Sequence, residues 1–67
     1  MKRVSGKDLA KVLEKNGWVL TRTKGSHRRY EKEGFPPVTV PVHGKKTLKP
    51  KTQQNIMRHS GLTDADL

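Results

Sequence analysis

A chain of 67 residues with a formal charge of +9 and no cysteine has room for one small domain, and it excludes disulfide frameworks and thiolate metal sites. Fifteen lysines and arginines face six acids, which predicts a polyanionic partner, nucleic acid ahead of an anionic membrane. No apolar run approaches the roughly 18 residues of a membrane span, and Met1–Ser5 lack the apolar stretch of a signal peptide, so a cytoplasmic location is expected.

The first helix is written over residues 5–16. Ser5 is a good N-cap, Asp8 stands at the third helical position, and Val4 with Leu9 forms a hydrophobic staple. Leu9, Ala10, Val12 and Leu13 give an apolar stripe of period 3.6, with Lys7, Lys11, Glu14 and Lys15 outside it. Gly17 supplies a left-handed stop, and Trp18 is expected to pack back on Leu13.

From Trp18 the period changes to two. Trp18, Leu20 and Arg22 alternate with Val19, Thr21 and Thr23 in a first strand, about 18–24. Gly25-Ser26 interrupts it, and a second strand, about 27–33, has Tyr30 as its apolar member. Gly34-Phe35-Pro36-Pro37 makes another turn. Val38, Val40 and Val42 then share one face of a third strand, about 38–43, whose Pro41 confines it to a sheet edge. A basic loop from His43 to Lys49 leads to Pro50, a first-turn proline, and a helix over about 50–60. Gly61-Leu62 repeats the glycine-plus-apolar ending, so Leu62 is expected to fold back on Met57.

The order helix, three strands, helix predicts an α+β domain, αβββα, with a three-stranded antiparallel meander and both helices on one sheet face. The expected core is Leu9, Val12, Leu13, Trp18, Leu20, Tyr30, the three valines, Leu48, Ile56, Met57 and Leu62. If the second hairpin is centred on Phe35, Tyr30 pairs with Val40 and His27 lies across from His43, turned away from the valine face. A two-residue Gly25-Ser26 loop sets Thr21 opposite Tyr30. A three-residue Lys24-Gly25-Ser26 loop sets Leu20 there, which buries more apolar surface and is the expected arrangement. The open face then carries Thr21, Thr23, His27, Arg29, Glu31, Thr39 and His43, ringed by Lys24, Lys45 and Lys46.

Such a face lacks the paired aromatics of a base-stacking platform. No cluster of carboxylates is present to hold two metal ions, and neither a phosphate-cradling glycine loop nor a nucleophile elbow occurs, so neither a metal nor a small-molecule cofactor is expected. What the residues do permit is RNA cleavage in which a neutral histidine takes the proton of a ribose 2′-OH and cations stabilise the phosphorane. The residues alone leave His27 open between that role and an ordinary surface histidine. His43 reads as a strand-terminating polar residue or an accessory general acid, and His59 as a complement to a helix dipole. The basic residues expected at RNA are Lys24, Arg28, Arg29, Lys45, Lys46, Lys49 and Lys51, with Gly25 and Ser26 at the turn.

Gly17-Trp18, Gly25-Ser26-His27, Val38-Thr39-Val40-Pro41-Val42-His43-Gly44, Leu48-Lys49-Pro50-Lys51-Thr52 and Ile56 with Ser60-Gly61-Leu62 together resemble the HicA (YcfA-like) family of bacterial toxins. The similarity covers about residues 5–63. It implies a double-stranded-RNA-binding-domain-like fold and an mRNA interferase whose catalytic histidine falls on His27. It also implies a HicB-type antitoxin as the neutralising partner. Two positions depart from the family pattern: Arg29 stands where an apolar or aromatic residue is frequent, and Gln53 replaces an aliphatic one, thinning the apolar face of the last helix. The alternative is a non-catalytic basic RNA-binding module, and an interaction protein with an acidic partner is a third reading.

Overall fold

The computed structural model describes residues 1–67. Helix α1 spans Gly6–Lys15, and the Ser5 hydroxyl accepts from the Asp8 amide at 3.1 Å, satisfying one of the free donors of the first turn. Its end is a Schellman motif: the Trp18 amide donates to Leu13 O at 3.0 Å and the Gly17 amide to Glu14 O at 3.3 Å, with Gly17 at φ 89°. Helix α2, Pro50–Ser60, begins on a proline and ends on Gly61 at φ 71°, and the Leu62 amide returns to Met57 O at 3.1 Å. A short 3-10 turn, Asp64–Asp66, follows. No helix is long and apolar enough to cross a membrane.

Three antiparallel strands lie between the helices in the order β1 (Val19–Lys24), β2 (His27–Glu31) and β3 (Val38–Pro41). Pro41 therefore does lie on an edge strand. Both registers differ in detail from the sequence expectation. In β1–β2, Lys24 pairs directly with His27, so the loop is the two-residue Gly25-Ser26. Leu20 nevertheless pairs with Tyr30, because the ladder slips by one residue at Thr21, a β-bulge. In β2–β3, Tyr30 pairs with Val38, not Val40, and His27 with Pro41, not His43. The reason is the turn. Phe35 donates to Lys32 O at 3.1 Å and stacks obliquely on Trp18 with centroids 5.5 Å apart, while Lys32 Nζ reaches Asn16 O at 2.7 Å. These contacts commit Lys32 and Phe35 to the end of α1, so β2 stops at Glu31. A register shift of two leaves every side chain on its expected face and moves only its neighbours.

Leu9 and Leu13 of α1, Tyr30, Val38 and Val40 of the sheet, and Ile56 and Met57 of α2 form one buried cluster with Ala10, Trp18, Leu48 and Leu62, so both helices cover the same sheet face. Leu20 does not join it. At 43% exposed it lies on the helix side of β1, an edge strand whose six residues are all exposed. Val12 and Val42 are only partly buried. Gln53, which interrupts the apolar face of α2, is fully buried. Its Oε1 accepts from the Val4 amide at 3.2 Å and its Nε2 donates to Lys2 O at 2.5 Å, clamping the N-terminal segment to the helix.

Tyr30, wholly buried, donates its hydroxyl to Glu14 Oε2 at 2.6 Å. Burial raises its pKa above 10.0 and the hydrogen bond to Glu14 raises it further, with nearby Arg28 pulling the other way. The folded state thus keeps the phenol proton where the unfolded chain releases it. This stabilisation is complete below about pH 10 and is lost as pH rises through the folded pKa. Tyr30→Phe is expected to cost about 1.5–3 kcal/mol at neutral pH through loss of a hydrogen bond to a charged acceptor. Urea melts of both proteins at pH 7 and pH 11 check this: the gap should narrow at the higher pH, and a constant gap would exclude the phenol as its source.

Candidate active site

Gly25, at φ 57°, and Ser26 form the tight turn that starts β2 on His27, with Lys24 as its direct cross-strand partner. Alternation then carries Arg29 to the same face as His27, and the β3 register adds Thr39 opposite Arg29. The bulge at Thr21, whose hydroxyl donates to Arg29 O at 3.3 Å, reverses the facing of β1 beyond it and pairs Arg22 with Arg29. Arg22, Lys24, His27, Arg29 and Thr39 consequently line one shallow depression of about 210 Å³ on the uncovered face of the sheet. Its electrostatics are those of three cations around an exposed imidazole. The acid near it is Glu31, whose Oε2 lies 3.6 Å from Arg29 Nε with both side chains about half exposed, a pair that water largely screens.

The other residues singled out from the sequence are distributed more widely. Arg28 is not on this face. It pairs with buried Val40 on the helix side and is half-buried near the Tyr30 hydroxyl, on the face opposite His27. The expected placement of His43 across from His27 is corrected, since Pro41 holds that position. β3 ends at Pro41, only the Val42 amide continues the ladder, to Ser26 O at 2.6 Å, and the His43 carbonyl then closes a turn with Lys46. The imidazole of His43 borders a separate depression of about 300 Å³ with Pro41, Lys46, Thr47, Lys49 and Thr52, which removes the geometric reason for pairing it with His27. Lys45 lies in a third depression with residues of α1, and Lys51 is exposed on the first turn of α2. His59, exposed in the last turn of α2, borders a fourth with Thr39 and Asn55.

Arg22 is the residue that sequence reasoning missed. Simple alternation from Trp18 assigns it to the core side, and only the two-residue loop counted back from His27 gives its true facing. Nowhere do three or more His, Cys, Asp or Glu side chains gather as a metal site.

A family model described as the HicA toxin of bacterial toxin–antitoxin systems matches residues 6–62. The chain belongs to the HicA toxin family. Among solved structures, a chain of a toxin–antitoxin complex from Streptococcus pneumoniae is 38% identical, with a TM-score of 0.71 over 88% of this chain and 98% of that one. No curated protein matches. The two helices and open three-stranded sheet are consistent with the double-stranded-RNA-binding-domain-like fold of HicA toxins.

Proposed function

We propose that this HicA toxin is a metal-independent endoribonuclease of mRNA in which His27 is the general acid–base group. The observation that carries the proposal is the position of His27 on the open sheet face, among Arg22, Lys24 and Arg29 and opposite no competing carboxylate. The neutral imidazole accepts the proton of a ribose 2′-OH, and the 2′ oxygen attacks the adjacent phosphorus. The three cations stabilise the charge gathering on the phosphorane oxygens. The P–O5′ bond then breaks, leaving a 2′,3′-cyclic phosphate and a 5′-hydroxyl. The leaving oxygen takes its proton from Lys24, the cross-strand partner of His27, in place of His43. Membership of a toxin family and the likeness to a chain of a toxin–antitoxin complex support an antitoxin as the neutralising partner, here one of HicB type covering this face in the cytoplasm where mRNA is met.

Digestion of a labelled mRNA in excess EDTA, with the chemistry of the new ends determined, tests the proposal. Undiminished cutting that leaves 2′,3′-cyclic phosphate ends is the expected result. Loss of cutting in chelator would reveal a required metal. RNA that is bound but left intact would identify a non-catalytic binding module.

A further inference from the structure

We infer that a second cationic groove, lined by Arg3, Lys7, Lys11 and Lys45, holds the phosphodiester backbone of the same RNA away from the cut. The inference rests on the ribonuclease reading for the identity of the polyanion. The groove is a depression of about 330 Å³ between the N-terminal segment, the first half of α1 and the β3–α2 loop. Asp8 is the single acid in its lining. Lys7 and Lys11 stand four residues apart on α1, a like-charge spacing that costs a helix about 0.2–0.5 kcal/mol. No salt bridge compensates them, since the ion pairs of the protein are Met1–Asp64 and Arg29–Glu31. Repulsion maintained without an internal partner is what an external anion relieves.

The groove is also built rather than incidental. Buried Gln53 grips the backbone on both sides of Arg3, at Lys2 O and the Val4 amide, and the Arg3 guanidinium itself donates to Leu48 O. The Leu48 amide donates to Val4 O at 2.9 Å and Ser5 bridges Thr47, which draws the loop carrying Lys45 to the start of α1. One cation is thereby fixed in place by a side chain with no exposure, and a second is brought across from it.

Finally, the groove is continuous with the site. Pro41 pairs with His27, borders the depression holding Lys46 and Lys49, and lies against Gly6 at the start of α1. Thr47 borders both that depression and the groove. A cationic band therefore runs from Arg22, Lys24 and Arg29 past Lys46 and Lys49 to Lys45, Arg3, Lys7 and Lys11, with Asp8 as the one carboxylate lining its depressions. One extended polyanion fits that band better than separate small anions.

The test compares wild type with K7Q/K11Q, using K15Q/R58Q as a control of equal charge change outside the groove. Each is measured on a long RNA and on an oligonucleotide short enough to fill only the His27 depression. For K7Q/K11Q the long RNA should show a KM raised several-fold with kcat unchanged, and the slope of log affinity against log salt should shrink by about 1.4, two single-strand phosphate contacts. The short substrate should be unaffected. Equilibrium binding of the long RNA reads the groove even if no protein cuts, which separates failure of this inference from failure of the ribonuclease reading. Unchanged long-RNA binding, a loss matched by the control, or a loss seen only with the antitoxin would each overturn it.

Discussion

Gly6→Ala is expected to lower stability by about 1–3 kcal/mol, the range for forcing extra volume into a packed site. A Cβ at Gly6 would stand 2.0 Å from Pro41 O and 3.0 Å from Pro41 C, both backbone atoms of β3 that cannot rotate aside. Two effects compete here. Alanine gains up to about 1 kcal/mol over glycine in helix propensity, but a contact this short requires α1 to move off the end of β3, and the steric term prevails. At the usual ~0.05–0.15 kcal/mol per residue, a domain of this size has only a few kcal/mol to lose. Displacement of Pro41 also disturbs the strand paired with His27. The loss should therefore appear as a lowered urea midpoint together with reduced cleavage per folded molecule. A midpoint equal to or above wild type would show that the close approach of α1 to β3 is not a constraint.

Much of the fold was legible because its punctuation is local. Ser5, Gly17, Pro50 and Gly61 each act within one turn of the chain, and each marks a helix end in the structure. Pro41 likewise identified an edge strand by chemistry alone, through its missing amide proton. The registers were harder because they depend on partners distant in sequence. Nothing in Val19–Lys24 biases one face, since every residue of that edge strand is exposed, so periodicity could not reveal the extra residue at Thr21. The assumed three-residue loop and the missing bulge compensated at Leu20 and diverged at Arg22. In the second hairpin, the docking of Phe35 on Trp18 moved the centre of the turn by one residue, which tertiary packing decides. The role of Gln53 was hidden for a similar reason: a buried amide within an apolar helix stripe looks like a defect until its main-chain partners, about fifty residues away, are known.

The site divides in the same way. The facing of His27 survived because a shift of two residues preserves strand faces, and Lys24 and Arg29 kept their places beside it. His43 and Arg28 did not. The first lies past the point where proline ends the strand, and the second shares a face with Tyr30 two residues on, where it approaches the phenol. The three cations of Lys24 to Arg29 thus divide in space, with Arg28 on the opposite face from Lys24 and Arg29. The basic loop similarly divides, Lys45 towards α1 and Lys46 and Lys49 towards His43.

Single-turnover cleavage of a defined RNA by wild type and His27→Ala measures the role of this histidine most directly. The side chain is exposed at the start of β2, and the variant keeps Arg22, Lys24 and Arg29 around the same depression, the cations proposed to hold the phosphate. Folding, RNA affinity and antitoxin affinity should therefore change little, while the cleavage rate falls by about 10²–10⁴-fold, the usual contribution of a general acid–base group. A folded His27→Ala protein that still cuts within a few-fold of the wild-type rate would contradict the assignment and leave His27 an ordinary surface residue of a cationic sheet.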